Sequence, residues 1–103
     1  MRIMLKANWD IEVGNAAARD GSLGTKVQSI LEQQKPEAAY FLGDNGTRTA
    51  LLVLNLDDSS QIPAAAEPWF LAFNAKIELV PVMNAEDLAK AGESIQQAVQ
   101  QYG

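Results

Sequence analysis

Residues Arg2 to Trp9 alternate, with Ile3, Leu5, Ala7 and Trp9 on one side and Arg2, Met4, Lys6 and Asn8 on the other. Alternation with period two predicts a first strand, one side apolar and one mixed. After "DIEVGN", Gly14 and Asn15 are placed to start a helix, and Leu23, Val27, Ile30 and Leu31 recur at helical spacing. The glycines predict a break in this helix near Gly21 to Gly24. Lys35-Pro36 ends it, because the residue before a proline is driven out of the helical region.

Tyr40 to Gly43 and Arg48 to Leu56 read as the second and third strands. They are joined at Asn45-Gly46, a pair that tolerates the positive φ angles of a tight hairpin, so this stretch is expected as a turn and not a site. "DDSS" supplies capping side chains for a second helix with Ile62, Ala66, Trp69, Phe70 and Phe73 on its apolar stripe. Pro68 should bend or restart that helix, and it leaves the carbonyl one turn earlier without its usual donor. Lys76 to Met83 reads as strand four. Asn84, with Asp87 three residues later, forms a variant capping box for a last helix bearing Leu88, Ala91, Ile95 and Val99.

The order strand, helix, strand, strand, helix, strand, helix fits one α+β domain over residues 1–103, a ferredoxin-like βαββαβ sandwich with an extra C-terminal helix. In that topology two helices cover one face of the sheet, and strands one and three lie at its centre. The third strand is apolar on both faces, so the other face exposes Leu51 and Val53 beside Met4, Leu42, Val80 and Val82. A contiguous apolar surface of this kind marks an interaction site. A two-fold homodimer burying open face against open face covers it with one self-complementary patch. The alternative cover is the chain's own C-terminal helix.

Composition narrows the chemistry. The chain has 103 residues, 48% of them hydrophobic and 20% charged, which is the balance of a folding globular domain. Its formal charge of −5, without a basic stripe, argues against a nucleic-acid partner. Zero cysteines exclude disulfides, thiolate catalysis and iron–sulfur ligation. Zero histidines remove the commonest general base and metal ligand, so no metal or other cofactor is expected. "MRIMLKANWD" lacks the apolar core of a secretory signal, and no apolar run approaches a membrane span, so a cytoplasmic protein with no membrane partner is expected.

The segments "GNAAARDGS", "KPEAAYF", "NGTRTALLV", "AEPWF" and "NAKIELVPVMNAEDL" together resemble an uncharacterised bacterial family of small proteins of unknown function, related to the dimeric α/β-barrel superfamily. The resemblance covers nearly the whole chain. It implies a ferredoxin-like protomer whose open sheet face pairs with a second copy to form a barrel, and it brings no catalytic residues with it.

On a closed face the polar residues become informative. Lys6 and Asn8 on strand one and Glu78 on strand four share it, and an antiparallel register brings Lys6 beside Glu78 and Met4 beside Val80. Tyr40 adds a phenol from strand two, and Trp69 a further wall if helix two lines the cavity. Apolar walls with a few convergent polar groups make a small-molecule site, with Lys6, Asn8, Tyr40, Glu78 and Trp69 as candidate contacts to an apolar ligand. Against this stand two plainer readings: Trp69 and Phe70 as simple core, and an interaction dimer whose filled interior binds nothing small. Whether any catalysis occurs is left open by the sequence.

Overall fold

The computed structural model describes Met1–Gly103 and begins with β1 (Arg2–Asn8), followed by α1 (Ile11–Asp20) and α2 (Leu23–Gln34). Then come the hairpin β2 (Ala38–Asp44) and β3 (Thr47–Asn55), a single 3-10 turn, α3 (Ile62–Phe73), β4 (Lys76–Pro81), α4 (Ala85–Lys90) and α5 (Gly92–Tyr102). The four strands form one antiparallel sheet in the order β2-β3-β1-β4. This is the ferredoxin-like arrangement, in which each helical connection carries the chain past one intervening strand.

Local chemistry sets the element ends. The Asp10 carboxylate accepts from the Val13 N–H at 3.0 Å, so α1 starts at Ile11, ahead of the Gly14-Asn15 start expected from glycine placement. Gly14 instead sits inside α1 beneath Arg48, where an added Cβ would come within 3.1 Å of Arg48 Nη1. Gly21 closes α1 in the left-handed region at φ 80°, a conformation that costs glycine little. The hairpin turns on Asn45 and Gly46, at φ 51° and 79°, the two consecutive positive angles that this residue pair favours.

Pro68 lies inside α3 without breaking it. A proline there withholds the donor that would serve the Ala64 carbonyl. Gln34, at the end of α2, replaces it: its Nε2 donates to Ala64 O at 3.2 Å and to Ala65 O at 2.8 Å. The same amide's Oε1 accepts from Trp69 Nε1 at 3.3 Å. One glutamine therefore ties the two helices together and satisfies a buried indole.

The core lies between the helices and one face of the sheet. Leu5, Ala7, Ala50, Leu52 and Leu54 meet Ala17, Ile30, Ala65, Trp69 and Phe73 there. Trp9 stacks on Phe73 with ring centroids 4.1 Å apart and planes within 5°, and Trp69 joins them at 6.1 Å from Trp9.

The C-terminal part leaves this body. Asn84 and Asp87 form the expected capping box, with Asp87 N donating to Asn84 Oδ1 at 2.8 Å and Asn84 N to Asp87 Oδ2 at 3.1 Å. Arg2 holds the start of α4 by pairing with Asp87 while it also pairs with Glu37 at 3.0 Å. The last helix is two helices, bent at Ala91, and every residue from Gly92 onward is exposed. The molecule consequently measures 59 × 27 × 20 Å with a radius of gyration of 17.1 Å. A compact chain of this length would give about 13 Å. The C-terminal helix thus does not fold over its own sheet, and the open face stays uncovered within the protomer. No helix is long and apolar enough to cross a membrane.

Candidate functional site

Strand register arranges the open face in rows. One row runs Tyr40, Leu51, Lys6, Glu78 across β2, β3, β1 and β4. The row to one side is Leu42, Thr49, Asn8, Lys76, and the row to the other is Ala38, Val53, Met4, Val80. The antiparallel partners Lys6–Glu78 and Met4–Val80 stand as alternation predicts. Four of the expected contacts, Lys6, Asn8, Tyr40 and Glu78, therefore share one face. The apolar part is exposed in the single chain, with Tyr40, Leu42 and Val80 all open to solvent and Leu51, Val53 and Met4 half-buried.

Lys6 does not use its cross-strand neighbour. Its Nζ lies 2.8 Å from Asp44 Oδ2, at the hairpin end of β2. Asn8 Nδ2 donates to the same Asp44 oxygen at 3.2 Å and to Thr49 Oγ1 at 2.8 Å, while Thr49 Oγ1 donates to Thr47 O at 3.2 Å. Thr49 is 1% exposed, the one buried polar residue of the chain. Lys6, Asn8, Asp44 and Thr49 so form a connected polar cluster at one end of the open face, with Glu78 and Lys76 beside it on β4. Together with Lys76, Glu78 and Asn74, the first three line an open depression of about 460 Å³.

The hydrogen bond from Lys6, then that from Asn8, holds the Asp44 carboxyl below the usual carboxylate range. The bond to Asp44 holds the Lys6 ammonium above its ordinary value, with Glu78 adding a smaller attraction. The two shifts act over different pH ranges. Asp44 contributes stability above the ordinary carboxyl pKa, lost as pH falls through its depressed value; Lys6 contributes below the ordinary ammonium pKa, lost as pH rises through its raised value. Between these limits the pair is fully charged. A lysine kept protonated is a hydrogen-bond donor and not a nucleophile.

In Lys6→Met, the Asp44 carboxyl is expected to titrate at higher pH than in the wild type when followed by NMR. Glu78→Gln should move it far less. An unchanged Asp44 midpoint in Lys6→Met would show that the pair is not what holds the carboxylate.

Trp69 leaves the expected contact set. It is 0% exposed, stacks with Trp9 and Phe73, and spends its indole N–H on Gln34, on the helix side of the sheet. Its place on the apolar stripe of α3 reflects core packing. Asp44 is the residue that the sequence reading missed, because an acid before Asn-Gly reads as part of the turn. The freed carbonyl before Pro68 likewise opens no site, since Gln34 occupies it.

On the helix side a second concavity of about 700 Å³ lies between α2 and the β2 edge, walled by Leu23, Val27, Leu31 and Phe41. Its rim carries Gln28, Glu32 and Arg48. Phe41 is half exposed there, which is unusual for an aromatic on the covered face of a sheet.

Residues 1–96 match a family model described as "Domain of unknown function (DUF3303)". No curated protein matches the sequence. A solved structure of formyltetrahydrofolate deformylase from Pseudomonas putida KT2440 aligns over 80% of this chain, at 17% identity and a TM-score of 0.48. The chain spans 29% of that protein's length.

Proposed function

The chain belongs to the DUF3303 family of domains of unknown function, and we propose that two copies pair through the open sheet face to form a barrel that binds an apolar small molecule without a metal. The observation that carries this reading is the open face itself: Leu42, Leu51, Val53, Met4 and Val80 form an uncovered apolar surface with the Lys6–Asp44–Asn8 cluster at one end. Sheets pack about 10 Å apart, which leaves room between them for side chains and, where these are short, for a flat ligand. Tyr40, Lys6, Asn8 and Glu78 supply the polar contacts. An apolar molecule with one acceptor group meets the Lys6 ammonium, while its body lies against Leu51 and Val53.

The test pairs a mass measurement with a neutral apolar fluorophore, N-phenyl-1-naphthylamine. Light scattering should give twice the protomer mass, and the dye should bind saturably with a stoichiometry tied to the dimer. Tyr40→Trp, which fills the space between the sheets, should weaken the dye at least tenfold while leaving the mass unchanged. A dimer that excludes the dye altogether would favour an interaction module with a filled interior.

A further inference from the structure

The cleft between α2 and the β2 edge has apolar walls and one polar end. Leu23, Val27 and Leu31 form a straight ridge along α2, about 12 Å long at 1.5 Å per helical residue, and all three are only half-buried. Phe41, 50% exposed, faces them from β2. The space between, about 700 Å³, is within the range of small-molecule sites. Arg48 marks one end of it. The register pairs Arg48 with Gly43 beside the hairpin, and only Lys35, Pro36 and Glu37 separate α2 from β2, so Leu23 lies toward the hairpin end and Glu32 toward the Ala38 end.

Three features at the hairpin end suit an acidic oxygen group. Arg48 has no carboxylate partner in the chain: its Nη1 donates to the neutral Asn15 Oδ1 at 2.8 Å, and Glu32 on the same rim forms no pair with it. Leu23 and Gly24, the first two residues of α2, line the cleft, and Ser22 ahead of them makes no side-chain cap, which leaves the positive end of the helix dipole uncompensated. Trp9, whose backbone N–H donates to Arg48 O at 2.9 Å, lines the cleft as well. It is 5% exposed, and its Nε1–H is buried without an acceptor. Buried donors without partners are rare in folded proteins, and an oxygen brought to this one would satisfy it.

We propose that this cleft binds an apolar monocarboxylate of the medium-chain fatty-acid class, with its carboxylate on Arg48 and the start of α2 and its chain along Leu23, Val27, Leu31 and Phe41. A guanidinium grips a carboxylate through parallel N–H donors, which gives the head group a fixed place. The ridge and Phe41 take the chain out of water. Glu32 at the far end repels a second carboxylate, so the cleft selects a ligand with one acidic head. The site lies within one protomer, on the helix side of the sheet, and does not rest on the pairing of open faces.

Decanoate is the probe, titrated into the isotope-labelled full-length protein and followed by NMR. Trp9 and Trp69 are the only tryptophans, so two indole N–H signals are present; that of Trp9 should move saturably, while that of Trp69, already bonded to Gln34, stays nearly still. Arg48→Met should weaken decanoate by about tenfold or more, whereas Lys90→Met, which removes an exposed cation on α4, should leave it within about twofold. Decanol and decanedioate should each bind the wild type about tenfold more weakly than decanoate, the first for want of a charge and the second because of Glu32. If Arg48→Met loses its fold by circular dichroism, Arg48→Gln takes its place. No saturable movement at millimolar decanoate overturns the proposal, as does equal affinity for decanol or decanedioate, or wild-type affinity in the Arg48 variant. Loss of decanoate binding in Lys6→Met, with the Arg48 variant unaffected, moves the carboxylate to the open face and also overturns the cleft as its site.

Discussion

Leu51→Glu is expected to abolish pairing between copies while leaving the protomer folded: light scattering should return about the 11.1 kDa of one chain where the wild type returns double. Leu51 stands at the centre of the open face, between Tyr40 on β2 and Lys6 on β1. In the separate protomer the new carboxylate would sit beside the Lys6 ammonium with water on its other side, a situation that costs little. Between two packed sheets it would lose that water, and an imperfectly paired buried charge carries a penalty of several kcal/mol per ion. Because a two-fold interface repeats the substitution, two such charges are buried, and the total exceeds what an interface of modest size supplies. A variant that stays dimeric at micromolar concentration would place the interface elsewhere. A wild type that is itself monomeric would remove the sheet-on-sheet barrel as a whole.

The second large effect is expected at Trp69. Trp69→Ala removes the largest fully buried side chain of the core, together with its contacts to Trp9 and Phe73. Truncation of a buried aromatic costs about 3–5 kcal/mol, through lost transfer energy and an unfilled cavity. The Gln34 amide oxygen also loses its indole donor. Denaturant unfolding should show the midpoint falling at unchanged slope. A loss below about 1 kcal/mol would mean that the site collapses freely or that Trp69 is less confined than its stacking indicates. Dye affinity of the folded fraction should match the wild type, since Trp69 lies across the sheet from the open face.

Much of the architecture can be read from local pattern. Alternation in Arg2–Asn8 sorts β1 into a core side and an open side, and the Lys6–Glu78 and Met4–Val80 registers follow from it. Asn45-Gly46 fixes the hairpin because few other pairs accept two positive φ angles in succession. The capping box at Asn84 marks α4 for the same reason: the chemistry is contained in four residues.

What escaped the sequence depends on long separations. Asp44 partners Lys6 from 38 positions away, and nothing local distinguishes it from a turn residue. Thr49 carries a signal, since alternation with Leu51 and Val53 places it on the open face, but only strand pairing with Asn8 shows that it is buried and bonded. Trp69 was ambiguous because helical spacing identifies an apolar stripe without saying whether a cavity or a core lies beneath it. The early start of α1 escapes for a simpler reason. Gly14 and Asn15 carry residue types that suit a helix start, but the Asp10 carboxylate four residues before Gly14 caps the helix.

Gln34 and Pro68 form a matched pair in which the cost of changing one depends on the presence of the other. An interior proline in a helix ordinarily costs about 3 kcal/mol or more, part of it from the carbonyl left without a donor. In a chain that already carries Gln34, the substitution to proline leaves the Ala64 carbonyl satisfied by the side-chain amide. In a chain that lacks it, the same step strands that carbonyl. The glutamine is therefore permissive for the proline, and once both are present, losing Gln34 costs more than it would have cost beforehand.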